Sequence, residues 1–201
     1  MEQSGLKIGI IGGTFDPIHI GHLIIAEDAR FRLSLDKVLF VPAGHPPHKP
    51  DKPISDVRHR AAMVEAAIEG NPDFELFRFE IDSPKPSYTV YTLEALLDIY
   101  KGAELFFIMG ADSLAEITTW HNPDRIVQLC RIVAAERFGF DREKVLGALP
   151  ESYRGSVIFL DTPIVEISST EIRRRAASGE SFRYLVPKGV EEYIMRNALY
   201  G

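Results

Sequence analysis

The sequence predicts an α/β fold, a Rossmann-like doubly wound parallel sheet forming one domain. Three observations carry this expectation. Short apolar runs alternate along the chain with helical patterns of roughly 10–15 residues, the rhythm of βαβ units. The first run ends in Gly12-Gly13 and passes almost at once into a helical pattern. A chain of 201 residues, 45% hydrophobic and with a mean hydropathy of −0.04, suits one folded domain and excludes a disordered chain, a collagen or a coiled coil. The expected domain spans residues 1–201, with a helical C-terminal part from about 167 to 201.

Leu6 to Ile11 reads as a buried strand, being short, apolar and bounded by glycines. Ile20 to about Leu33 is helical, with Leu23, Ile24, Ala26 and Ala29 among its apolar positions. Lys37 to Val41 is the second strand, followed by a loop holding Pro42, Pro46, Pro47, Pro50 and Pro53. Ser55 is expected to cap a helix running to about Glu69, and Phe74 to Phe79 alternates as a third strand. Thr89 to Tyr100 is helical, and Glu104 to Met109 is the fourth strand. Asn122-Pro123 has the chemistry of a cap and first helical residue, so a short helix should start there. Arg131–Ala135 and Val157–Leu160 supply the fifth and sixth strands, and helices near Ser169–Ala177 and Val190–Asn197 finish the chain. Ligands of such sheets sit beyond the carboxyl ends of the strands, where the strand order reverses. The loops Gly12–Ile18 and Gly110–Ser113 are the natural pair to flank that point.

Charge and cysteine usage narrow the function classes. Twenty-three Lys and Arg against 29 Asp and Glu leave a net charge of −6 and a pI near 5.5, without the basic footprint of a nucleic-acid binder. An anionic ligand must therefore be held by a local cluster of donors. The single cysteine, Cys130, excludes an internal disulfide and suits the reducing cytoplasm. No apolar run reaches the roughly 18 residues of a membrane span, so no membrane partner is expected.

The segment Gly12-Gly13-Thr14-Phe15-Asp16-Pro17-Ile18-His19-Ile20-Gly21-His22 joins the first strand to the first helix. A helix start offers unpaired N–H groups and a partial positive charge, which suits phosphate. Gly12 and Gly13 let a bulky ligand approach the backbone, and Gly21 has no side chain to block one. His19 and His22 are three residues apart and can face one side, donating to charge that grows on a phosphoryl oxygen. No third metal ligand lies at a convincing spacing, and the glycines do not form the G-x-G-x-x-G fingerprint of hydride-transfer enzymes. Asp16 reads equally as a turn residue before Pro17 or as a group that orients a histidine or touches a metal.

The second segment, Ile167-Ser168-Ser169-Thr170-Glu171-Ile172-Arg173-Arg174-Arg175, opens a helix. Ser168 and Glu171 have capping-box spacing, leaving the amides and hydroxyls of Ser169 and Thr170 near a positive helix end. Arg173 shares their face, and its planar fork can meet an anion there. Arg174 and Arg175 read better as a solvated face.

GGTFDPIHIGH resembles the signature of the nucleotidyltransferases that share the HxGH motif, and ISSTEIR resembles their second motif, which grips the triphosphate of ATP. Class I aminoacyl-tRNA synthetases share His-Ile-Gly-His but are much longer and carry a lysine-rich loop not found here. Pro46-Pro47-His48-Lys49, Pro86-Ser87-Tyr88-Thr89, Gly110-Ala111-Asp112-Ser113 and Trp120 extend the resemblance to the bacterial nicotinate-nucleotide adenylyltransferases over almost the whole chain. Tyr91 stands where that family often has Asp.

The resemblance implies a single nucleotidyltransferase domain that joins ATP to nicotinate mononucleotide, giving deamido-NAD and pyrophosphate, with Mg²⁺ arriving on ATP and no protein metal site. It implies catalytic roles for His19, His22 and Arg173. It implies ATP binding by Gly12, Gly13, Thr14, Phe15, Gly21, Gly110, Asp112, Ser169 and Thr170. His48, Lys49, Tyr88, Thr89 and Trp120 would take the mononucleotide. Nicotinamide mononucleotide and phosphopantetheine stay open as alternative acceptors, a non-catalytic nucleotide sensor as an alternative class, and a homo-oligomer as an assembly.

Overall fold

The apolar runs become a six-stranded, all-parallel sheet in the order β3-β2-β1-β4-β5-β6. The computed structural model describes residues 5–46, 54–136, 141–163 and 165–201. The strands are β1 (Lys7–Gly13), β2 (Lys37–Pro42), β3 (Phe74–Leu76), β4 (Glu104–Gly110), β5 (Arg131–Ala135) and β6 (Val157–Leu160). The two rim strands are thus the shortest, with three residues in β3 and four in β6.

Strand residues point alternately to two cores, which is why the runs read as continuous apolar stretches. Ile11, Val38, Phe40, Phe106, Ile108 and Val133 face one side. There they meet α1 (Ile20–Leu33), α2 (Val57–Ile68), α8 (Ser169–Ser178) and α9 (Lys188–Arg196). Ile8, Ile10, Leu39, Val41, Leu105, Phe107 and Ile132 face the other side, against α3 (Thr89–Ile99) and α5 (Pro123–Leu129). Gly9 belongs to the first side, and a Cβ there would stand 2.8 Å from Leu35 Cδ1.

Several sequence expectations need correction. The α2 cap is Asp56, whose carboxylate accepts the Arg58 N–H at 2.8 Å, and not Ser55. Ser55 is committed elsewhere, its N–H donating to Asp16. The third strand stops at Leu76 instead of Phe79. Phe77 N–H still donates to Phe40, but the chain then turns through Arg78 and Asp82, which pair with each other. The expected short helix does start at Pro123, but its N-cap Asn122 sits in the left-handed region at φ 53° and makes no side-chain cap. Short helices α4 (Ala111–Ala115), α6 (Arg142–Ala148) and α7 (Glu151–Arg154) were not foreseen. With four to seven residues each, they are too short to show helical periodicity.

Among the described residues, no helix is long and apolar enough to cross a membrane.

Candidate active site

β1 is the point where the chain winds first to one side of the sheet and then to the other, since its neighbours are β2 and β4. Beyond its carboxyl end a cleft of about 600 Å³ opens between Gly12 on β1 and Gly110 on β4. That size suits a nucleotide-sized ligand. Its walls come from four separate stretches: Ile11 to Ile25, Phe107 to Trp120, Glu136 after β5, and Thr162, Pro163 and Val165 to Glu171.

The two histidines stand together on one wall. Their rings stack with centroids 3.7 Å apart and an interplanar angle of 29°. His19 is buried at the start of α1, and His22 lies half-buried one turn on. His22 Nδ1 accepts the backbone N–H of His19 at 3.2 Å, which leaves its Nε2 as the proton carrier in the neutral ring. Phe15 braces His22 from behind, edge to face at 5.1 Å. Gly21 makes the stack fit, because a Cβ there would lie 3.1 Å from His19 Nδ1. The first turn of α1 contains no acidic residue, so nothing in it offsets the positive end of that helix.

The start of α8 lines the same cleft through Ser168 and Glu171. Ser168 caps it, its hydroxyl accepting the Glu171 N–H at 3.2 Å. The Glu171 carboxylate does not return to the cap. Arg174 and Arg175 take it at 2.8 Å each and hold it down to a pKa of about 2. Arg174 also binds Glu180, so this arginine is committed to carboxylates on the solvated face. Ser169 Oγ donates to the Pro17 carbonyl at 2.8 Å and ties α8 to the loop after β1.

Residues 10–175 match the family model described as cytidylyltransferase-like. The chain belongs to the cytidylyltransferase-like family. The "Probable nicotinate-nucleotide adenylyltransferase" of Thermomicrobium roseum is 46% identical to it over 196 residues, covering 96% of this chain and 91% of that one. The protein of the same name from Thermoanaerobacter sp. is 43% identical over 204 residues, covering 100% and 96%. The fold is also similar to that of Plasmodium falciparum nicotinic acid mononucleotide adenylyltransferase complexed with NaAD. That likeness has a TM-score of 0.78 at 20% identity and covers 97% of each chain.

Not every candidate residue of this cytidylyltransferase-like chain lies in the same hollow. Gly12, His19, Gly21, His22, Gly110, Asp112 and Trp120 line the main cleft. Arg173 and Thr170 line a neighbouring hollow of about 550 Å³ with Asp16 and Tyr200. Arg173 Nη1 donates to the Asp16 carbonyl at 2.7 Å, and Nη2 to Thr170 Oγ1 at 3.3 Å. Phe15 does not present its ring to the cleft, since it is 2% exposed and packs in the core with φ 50°. Gly13 makes room for that ring, a Cβ there lying 3.1 Å from Phe15 Cε1. The Thr14 carbonyl accepts Arg60 Nη1 at 2.7 Å.

Tyr88 and Thr89 stand at the start of α3, outside the wall of the main cleft. Tyr88 stacks on His121 at 4.2 Å, beside Trp120, whose ring meets Phe107 edge to face at 5.8 Å. Tyr91 Oη lies 3.3 Å from His121 Nε2. His121 was not singled out from the sequence, and its place next to the sole tryptophan was the signal available. His48 and Lys49 lie outside the described residues.

Proposed function

We infer that this protein transfers the adenylyl group of ATP to nicotinate mononucleotide, releasing pyrophosphate and forming deamido-NAD, in NAD biosynthesis in the cytoplasm. The observation that carries the chemistry is the stacked His19–His22 pair at the uncompensated start of α1, in a cleft that the start of α8 also lines. The relatives' names carry the choice of acceptor.

The mononucleotide phosphate attacks the α-phosphorus of ATP in line. That nucleophile is already an anion, so no strong general base is needed, and positioning with charge stabilisation supplies the rate. His22 Nε2–H and the His19 ring donate to the phosphate oxygens whose charge grows. The start of α8, with Ser169, Thr170 and Arg173, holds the leaving pyrophosphate. Trp120, Tyr88 and the amides at the start of α3 take the pyridine and its carboxylate. Among the described residues no three His, Cys, Asp or Glu side chains converge on a metal position. Mg²⁺ would arrive with ATP as the Mg-ATP substrate and would supply neutralisation of phosphate charge.

The test is pyrophosphate release from Mg-ATP with nicotinate mononucleotide, nicotinamide mononucleotide and phosphopantetheine. The expected ratio of kcat/KM for nicotinate over nicotinamide mononucleotide is roughly 10⁴, since polar partners would face an ill-matched amide. Thr89→Pro should reduce that ratio, because proline is tolerated at a first helical position but removes an amide. His19→Ala and His22→Ala should each lower kcat by about 10²–10³ while the chain stays folded. A ratio near one overturns the acceptor, and near-normal turnover in both histidine variants overturns the mechanism.

A further inference from the structure

The loop after β1 is held from outside by residues far along the chain, and Asp16 is its hub. Asp16 is 5% exposed, and each of its oxygens is taken. Oδ1 accepts the Tyr200 hydroxyl at 2.7 Å, Oδ2 accepts the Ser55 N–H at 3.2 Å, and the backbone carbonyl accepts Arg173 at 2.7 Å. Among the described residues Arg173 forms no ion pair with the Asp16 carboxylate, although it binds the same residue's carbonyl. A carboxylate is the stronger acceptor and fits a guanidinium with two parallel bonds. Each carboxylate oxygen already accepts one hydrogen bond, which weakens it as a competitor for the guanidinium. Burial and the Asp16 charge push the Tyr200 hydroxyl well above its ordinary pKa, so it stays a proton donor.

The geometry points to Tyr200 as a positioning residue for Arg173. Its hydroxyl occupies Asp16 Oδ1 and thereby keeps the guanidinium beside Thr170, available to a phosphate anion. Without that hydroxyl, Arg173 turns from the carbonyl to the open carboxylate oxygen, and the ion pair takes up the donors and charge that an anion would meet in the hollow lined by Arg173, Thr170, Asp16 and Tyr200. This inference rests on the reading that Arg173 meets the triphosphate of ATP.

The experiment is steady-state kinetics on the full chain, varying Mg-ATP and acceptor separately, for wild type, Tyr200→Phe, Arg173→Ala and the double variant. Tyr200→Phe should raise KM for ATP about tenfold, the scale of one charge-assisted hydrogen bond, and leave KM for the acceptor unchanged. On the Arg173→Ala background the same change should add less than about twofold, since the residue through which it acts is gone. An equal effect on both backgrounds would mean that Tyr200 acts by packing alone, and overturns the inference while Arg173 keeps its role. An unchanged KM for ATP in Arg173→Ala removes the role of Arg173 and this inference with it. If Tyr200→Phe does not fold, Tyr200→His, which keeps a ring and a donor, takes its place with KM for ATP expected near that of wild type; a tenfold rise there also overturns the inference.

Discussion

At Gly44 a methyl group would stand 2.1 Å from the Glu80 carbonyl oxygen, a backbone atom that cannot swing away. The loop after β2 and the segment after β3 touch there, backbone to backbone. His45 and Ser87 then join them further, each donating its N–H to the other residue. Gly44→Ala should therefore cost more than about 2 kcal/mol, as overpacking against fixed atoms does. Urea unfolding of the two chains measures it, and a difference below about 0.5 kcal/mol would mean that the loops part freely. Single residues were the hardest features to foresee. Gly12, Gly21 and the paired histidines stood out because glycines and two histidines at a helix start suit an anion together. Arg60 did not: it occurs in an ordinary amphipathic helix, yet it is 2% exposed and donates to the carbonyls of Ser55, Thr14 and Gly44. Burial lowers its pKa, and the nearby Asp16 carboxylate opposes that shift. Tyr200 was equally silent, because nothing in its neighbourhood in sequence tells that Asp16 lies against it.

Among the elements, α8 carries its own acid switch. Arg174 grips Glu171 and Glu180, with a share from Arg175, and both carboxylates titrate near 2 instead of 4.5. Groups held below their ordinary values stabilise the fold fully above about 4.5 and lose that contribution as the pH falls toward 2. The double variant Glu171→Gln/Glu180→Gln should thus melt below wild type at neutral pH, with the gap closing over that interval. Melting midpoints across pH 2 to 7 read this directly, and a gap that persists at pH 2 would mean the carboxylates act through something other than their charge. The pairs are exposed, so the gap at neutral pH should be small. The elements legible in the sequence were those with a strong periodic or apolar signal, such as β1, α1 and β4. The capped start of α8 was legible from Ser168, whereas α6 and α7 are as short as the turns around them and show no pattern. The expected strand to Phe79 failed for a physical reason. Only one neighbour, β2, pairs with β3, and alternation alone cannot tell where a rim strand leaves its partner.

The whole molecule places the cleft where four separate stretches of chain converge, so a ligand there braces all of them. Mg-ATP at 100 times its Kd should raise the unfolding free energy by about 2.7 kcal/mol. Thermal scans with and without nucleotide check this, and an unmoved midpoint at millimolar ATP would mean that the cleft does not bind it. The global arrangement was the most legible scale of all. Alternating strands and helices impose parallel pairing with right-handed crossovers, and few sheet orders remain. The sequence could not tell that the acceptor candidates Tyr88 and Thr89 would stand apart from the cleft wall while Trp120 lines it, because that depends on where α3 begins relative to β4.

The short rim strands bear on how copies of this chain can meet. A foreign strand that docks against β3 or β6 finds only three or four residues to pair with, and in a parallel ladder only part of their amides and carbonyls point outward. Strand addition at either margin is therefore weak, which works against the pairing by which open sheets polymerise.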